Sequence, residues 1–306
     1  MQLFLARVID GLSNGAAYAA IALALVLIYK ATTLINFAQG SLAMLGGFVT
    51  YVFASEQGVP IWIALFISML LSGLLAAGLE RTLIRPFDPS DHLPLVIITL
   101  GLLLGIDSIA GVIWRNDPRA FPGLFPDGDV FTWGTTTLRW YDVGVIVSVL
   151  IMVALLELLL NKTKIGLAFR AVSSNLESSR LVGIKVGQTL MFGWALAAAV
   201  GTLAAVLYIS SPIRQIEPTF MLRVLIFSTA AAALGGLDSI KGALIGGLIM
   251  GLLQAFFGYL SGWSKEWSWM PEIGNELNLA TAFIVLLFVL LLKPAGLFGT
   301  KGIERV

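Results

Sequence analysis

The chain has 306 residues, of which 58% are hydrophobic and only 12% charged, where an ordinary soluble domain is about a quarter charged. That composition belongs in a membrane. A net charge of +1 excludes a nucleic-acid partner held by charge, and the absence of cysteine excludes disulfides and thiolate metal sites.

The N-terminus, MQLFLARVIDGLSNG, has neither a basic segment ahead of an apolar core nor a small-residue cleavage site, so its first apolar run reads as a retained span. About 20 residues cross the hydrocarbon as a helix, and backbone polar groups in lipid must be satisfied internally. Runs of that length, rather than alternating ten-residue strands, decide for helices over a barrel. Spans are expected near 11–29, 39–55, 61–80, 94–114, 142–161, 188–210, 219–234, 242–260 and 277–292. Gly235 and Gly236, followed by Asp238, mark either a short turn between two crossings or a broken or re-entrant helix. The expectation is one all-α domain over 1–306, a polytopic transmembrane helical bundle of eight or nine spans.

With the N-terminus outside and nine crossings, twelve Lys and Arg fall in inside segments and six in outside segments. The bias favours this orientation, which puts the N-terminus in the periplasm and the C-terminus in the cytoplasm. Trp62, Trp114, Trp140, Trp263, Trp267 and Trp269 lie at or just beyond span ends, where amphipathic rings suit the headgroup layer.

Polar residues interrupt the apolar pattern at few places. The stretch LINFAQGSLAMLGGF, residues 34–48, carries Asn36, Gln39 and Ser41 among Gly40, Gly46 and Gly47. A second glycine block holds Gly235, Gly236, Gly242, Gly246, Gly247 and Gly251. Small residues either let helices pack closely or mark helix breaks whose free backbone groups face a solute. Asp107 and Arg223 are ionisable residues inside spans, which either pair with each other or meet the solute. Glu157, near a span end, is expected to reach Arg170 or Lys164.

Two connections are long. Residues 115–141, rich in proline and glycine, read as an irregular outer cap. Residues 162–187 hold five basic side chains against one acid. There, Ser174 or Asn175 is placed to cap a short helix with Glu177 in its first turn, Arg180 in a later one and Gly183 at its end. Leu176, Leu181 and Ile184 form an apolar edge. The segment is either a basic loop that fixes topology beside anionic lipid or a small helix that docks on a cytosolic partner.

These motifs together resemble the membrane permease subunit of bacterial branched-chain amino acid ABC importers, closest to the first of two homologous permeases. The resemblance rests on NGAAYAAIALALVLIY, INFAQGSLAMLGGF, GLAFRAVSSNLESSRLVGI, ALGGLDSIKGALIGGLIMGLL and KPAGLFG, five blocks in order from residue 14 to 299. It differs at Gln39, where the family commonly has His, and at Ser41, where it often has an acid.

The resemblance implies a non-catalytic transport subunit of the bacterial inner membrane, working by alternating access on leucine, isoleucine and valine. Related permeases serving urea or short amides are the alternative substrate class, and a stand-alone channel or secondary transporter using Asp107 is the alternative mechanism. An intramembrane enzyme is disfavoured by the single histidine, His92, and by the lack of a nucleophile–base pair. The chain has no G-x-x-x-x-G-K-[ST] phosphate loop, so ATP would be used by partners and no cofactor bound here. The implied partners are two ATP-binding subunits, a second homologous permease or a copy of this chain, a periplasmic substrate-binding protein and membrane lipid. Asn36, Gln39, Gly40, Ser41, Gly46, Gly47, Asp107, Arg223, Gly235 and Gly236 are the path or gating candidates. Arg170, Glu177, Arg180 and Gly183 are the candidates for coupling to the ATPase, within 162–187.

Overall fold

The computed structural model describes residues 2–87, 92–134, 136–264 and 275–299. Its helices are α1 (Gln2–Thr32), α2 (Gln39–Tyr51), α3 (Ile61–Leu79), α4 (His92–Trp114), α5 (Trp140–Lys162), α6 (Lys164–Ser174), α7 (Leu176–Leu181), α8 (Val186–Ile209), α9 (Phe220–Gly235), α10 (Ile240–Ser264) and α11 (Asn275–Leu292). Nine of these coincide with the expected spans. Among the described residues, six helices are both long and apolar enough to cross a membrane, fewer than the eight or nine expected. Of the remaining three, α2 and α9, at 13 and 16 residues, are shorter than a straight crossing takes, whereas α11 has 18. A π-helical turn over Val52–Glu56 lengthens α2.

The core is α1. Of its apolar window 89% is buried, against 11% for that of α4. Lipid tails are as apolar as leucine, so helices associate in a bilayer through close packing rather than through expulsion of water. Small residues supply that closeness. Gly11, Gly15 and Ala19 on α1 meet Gly247, Gly251 and Ala255 on α10, each set spaced one turn apart, with the helices antiparallel. A methyl group added at Gly247 or Gly251 would run into the α1 backbone. Tyr18 adds a hydrogen bond to Gln254 Oε1 at 2.7 Å and stacks on Phe227 of α9.

The Gly235–Gly236 ambiguity resolves as a turn. The α9 and α10 helices run antiparallel, Gly235 against Gly242 and Ala231 against Gly246. Gly236 makes the corner with φ of +109°, a conformation that a side chain rarely adopts. The segment after α11 then closes over it. The N–H groups of Leu297 and Phe298 donate to the carbonyls of Leu234 and Gly235 at 2.8 and 2.9 Å, satisfying the last turn of α9. From the end of α1, Lys30 donates to Asp238 O at 3.0 Å.

At the opposite end, a charge network built on one buried carboxylate ties α1 to α5. Asp142, fully buried, accepts from Ser13 at 2.8 Å, from the Arg139 backbone at 2.9 Å and from its guanidinium at 3.0 Å. Arg139 also reaches Asp10 at 2.7 Å. Burial works against the guanidinium, but the bonds to Asp142 and the charge of Asp10 outweigh it and hold Arg139 above the ordinary arginine value.

Residues 115–139 are more ordered than an irregular cap. Strand β1 (Arg119–Ala120) pairs with β4 (Gln215–Ile216), and β2 (Asp129–Trp133) forms a hairpin with β3 (Thr136–Arg139). The 162–187 connection is two helices rather than one. Thr163 caps α6 by accepting from Gly166 N, and Phe169 anchors it by packing on Gly193 of α8. Glu157 contacts Lys241 at 3.7 Å rather than Arg170 or Lys164. Trp62 and Trp140 are exposed, Trp114 stacks on Phe48, and Trp267 and Trp269 lie outside the described residues.

Replacing Gly247 with leucine is expected to destabilise the chain by about 3 kcal/mol or more, through overpacking at the α1 backbone. Gly78→Ala on α3, with nothing within 4 Å of an added Cβ, is expected to be neutral or stabilising by about 0.5–1 kcal/mol. Thermal unfolding midpoints in detergent check both.

Candidate functional site

The 34–48 stretch forms the turn after α1 and the first turns of α2. Thr33, with φ of +57°, ends α1. Asn36 then organises the turn, its Oδ1 accepting from Ala38 N at 3.0 Å and its own carbonyl from Gln39 N at 3.2 Å. The Asn36 side chain is buried and its Nδ2 has no hydrogen-bond partner. Asn36 lines a cavity of about 20 Å³ with Thr32, Thr99 and Trp194, whose Nε1 is also buried and unpartnered. That space suits one water molecule.

Gln39 is fully buried and points into α8, where its Nε2 donates to Ala197 O at 3.0 Å. Its Oε1 finds no partner. The α2 and α8 helices run parallel here and nearly touch. Gly201 leaves room for the Gln39 amide, and Gly46 leaves room for Thr202, whose hydroxyl folds back onto Ala198 O at 2.9 Å. A methyl at Gly46 would overlap that side chain, whereas one at Gly47 would sit in ordinary contact with Ile209 and Ile216, both at 3.6 Å.

On the other side of α2, Gly40 faces Leu225 of α9, and Ser41 faces α4. Ser41 Oγ lies 3.4 Å from Leu103 O and is the side-chain hydrogen-bond neighbour of Asp107. Gly40, Ser41 and Asp107 line a crevice of about 10 Å³ with Pro218, Met221 and Leu222 of the α9 entry. That is too narrow for anything beyond a water. Arg223 is exposed on α9, and no ion pair joins it to Asp107 among the described residues.

The structure therefore brings Gly40, Ser41 and Asp107 together. It places Asn36 and Gln39 in two neighbouring polar niches, and leaves Gly235 and Gly236 in the α9–α10 turn. Among the described residues no cluster of His, Asp and Glu is arranged to hold a metal ion.

The expected short helix of the 162–187 segment is present as α7. Asn175 caps it by accepting from Ser178 N at 2.8 Å, Glu177 lies in its first turn, and Gly183 follows with φ of +83°. Arg170, Glu177 and Arg180 are exposed. Leu181 and Val182 are 88% and 75% exposed, an apolar tip beside this charged face. Behind α7 lies a cavity of about 740 Å³, walled by the ends of α1 and α3, the start of α8 and α7 itself.

Sequence reasoning missed the groups that close this cavity. Glu80 is a buried carboxylate, and Arg85 holds it at 2.6 Å. Their five-residue spacing does not bring side chains together on an α-helix. It does so here because Glu80–Ile84 form a π-helical turn, with Arg85 N bonded to Glu80 O at 2.7 Å. An acid at the end of an apolar run, followed by arginine, was the one available signal.

A family described as "Branched-chain amino acid transport system / permease component" matches residues 7–292. The branched-chain amino acid permease protein BraD of Pseudomonas aeruginosa is 26% identical over 314 residues, covering 99% of this chain and 98% of its own. LivH of Escherichia coli is 28% identical over 322 residues with the same coverage. LivH of Methanocaldococcus jannaschii is 29% identical over 296 residues, covering 94% of this chain and 90% of its own.

Replacing Asn36 with alanine removes the acceptor for Ala38 N–H. The expected cost is about 1 kcal/mol, as for loss of a helix cap, and a modest drop in the thermal unfolding midpoint reads it.

Proposed function

The chain belongs to the permease-component family of branched-chain amino acid transport systems, and from that premise we propose that it carries leucine, isoleucine and valine across a bacterial inner membrane as a subunit of an ATP-driven importer. The family match over residues 7–292 carries this reading. The N-terminus is periplasmic and the 163–185 segment cytoplasmic, as the basic residues favour. The partners are two ATP-binding subunits, a second permease or a copy of this chain, and a periplasmic binding protein.

The geometry supports the mechanism at two places. The α7 helix presents Leu181 and Val182 as an apolar plug ringed by Arg170, Glu177 and Arg180, a form suited to a groove on an ATP-binding subunit. The Ser41–Asp107 crevice lies among α2, α4 and α9, and it is shut. Transport then needs a second state in which these helices part, selected by ATP-driven closure of the partners. The amino acid's ammonium would find a carboxylate at Asp107, and its carboxylate a cation at exposed Arg223.

The substitution of Gln39 for the family's usual histidine gives no support to a urea or amide substrate. Its side chain is sealed between α2 and α8, so the exchange acts on packing.

ATP-dependent uptake by reconstituted full complexes is expected for leucine, isoleucine and valine and not for urea or acetamide. Uptake of urea alone overturns the substrate. Reversing Arg170 and Arg180 to glutamate is expected to lower leucine uptake and ATPase retention by about tenfold. Wild-type uptake with wild-type co-purification overturns the coupling role.

A further inference from the structure

Arg85 makes two contacts that belong to different parts of the molecule. Its Nη2 lies 2.6 Å from Glu80 Oε2, and the same nitrogen donates to Gly187 O at 2.7 Å. Glu80 is only 1% exposed at the end of α3. Gly187 is the second residue of α8, four residues beyond the Gly183 turn that follows α7. The guanidinium thus fastens the membrane helix α3 to the point where the α7 segment enters α8. A Cβ at Gly187 would stand 3.2 Å from the guanidinium carbon, a tight contact that the arginine would have to relieve by shifting a few tenths of an ångström.

The fastening has a direction. Above this point α8 lies against α3 at Gly73, whose added Cβ would come 3.2 Å from Ala195 O, and against α2 through Gln39, Gly46 and Gly201. Below it, the cavity of about 740 Å³ separates Arg85 and Glu80 from Asn175, Glu177 and Arg180. The α7 helix therefore stands off from the bundle across open space. Arg85 touches the bundle side of that space and the start of α8 together. A displacement of α7 shifts the start of α8, and either pulls α3 along or exposes the buried Glu80 charge. Arg85 is itself exposed, but leaving the buried Glu80 carboxylate without its cation is costly, so the first course is favoured.

We propose that Arg85 is a positioning residue that transmits movement of the α7 segment into α3, using Glu80 as its anchor and Gly187 O as its grip. The proposal rests on the reading that this segment meets the ATP-binding subunit. A guanidinium suits the role because Nη2 offers one N–H to each acceptor while Nε, 3.3 Å from Glu80 Oε1, fixes its plane, whereas a lysine ammonium has a shorter reach and no second nitrogen to hold that orientation.

The test uses the reconstituted full complex, with assembly, ATP hydrolysis and leucine uptake measured together. Arg85→Lys keeps a cation beside Glu80. It is expected to assemble and hydrolyse ATP as wild type does while uptake per ATP falls about tenfold, the effect of losing one charge-assisted hydrogen bond. Simple charge neutralisation predicts wild-type uptake per ATP in Arg85→Lys, and that result overturns the proposal. Glu80→Gln/Arg85→Met leaves no unpaired buried charge and no grip, and is expected to show the same loss. Tight coupling in this double variant overturns the proposal even if Arg85→Lys fails to assemble. Absence of leucine uptake by the wild-type complex would count against the transport reading, whereas wild-type coupling in both variants counts against Arg85 alone.

Discussion

The bundle depends on the approach of α1 to α10. No solvent pressure drives two apolar helices together in lipid, so contact must come from packing close enough for backbones to touch. Gly11, Gly15 and Ala19 against Gly247, Gly251 and Ala255 provide that, with nothing larger than a methyl at these positions. Once α1 and α10 are joined, α1 has little surface left for lipid. Helices α5, α8 and α9 pack around it, and the apolar stretch from Ala16 to Ile28 becomes the interior of the protein.

Polar bonds then lock the two ends of this frame. At one end, the buried Asp142 gathers Ser13 and the half-buried Arg139, and Arg139 extends to Asp10. At the other, Lys30 reaches the α9–α10 turn, and Leu297 and Phe298 supply N–H groups to the last carbonyls of α9. A buried ion pair adds little net stability compared with apolar packing, but it punishes any arrangement that separates its members. These locks therefore define which helices stay together. They leave out α4, whose apolar window is mostly exposed, and α7, which stands across a cavity.

Much of the fold is legible in the sequence, and its limits have physical causes. Span positions follow from apolar runs, and α7 follows from Asn175, Glu177 and Gly183, because capping is local chemistry. The six-residue spacing from Asn175 to Leu181 needs no knowledge of the rest of the chain. The role of each glycine is not local. Gly46 and Gly47 are adjacent in sequence, yet only Gly46 stands where a methyl would collide. The Glu80–Arg85 pair is hidden for a related reason: its five-residue spacing looks unpaired until a π-helical turn is known. The Gln39 contact with Ala197 spans 158 residues, and no periodicity predicts it. For the same reason Asp107 and Arg223, two charges in apolar runs, invited a pairing that the helix faces do not make.

The two sides of α2 differ in what they permit. Toward α8 it is joined by backbone-close contact at Gly46 and Gly201 and by the Gln39 bond, all in a dry interior where an unmade hydrogen bond is costly. Toward α4 and α9 it meets Leu225, Leu103 and Asp107 across a crevice, with a weak 3.4 Å contact from Ser41. Separation on the first side would strip buried polar groups of partners and open voids at the glycines. Separation on the second would hydrate a serine and a carboxylate that water can satisfy. A two-state rearrangement in this region would therefore keep α2 with α8 and part it from α4. In such a rearrangement Gln39 would sit on the seam that holds, and Ser41, two residues away on the opposite face, on the one that opens.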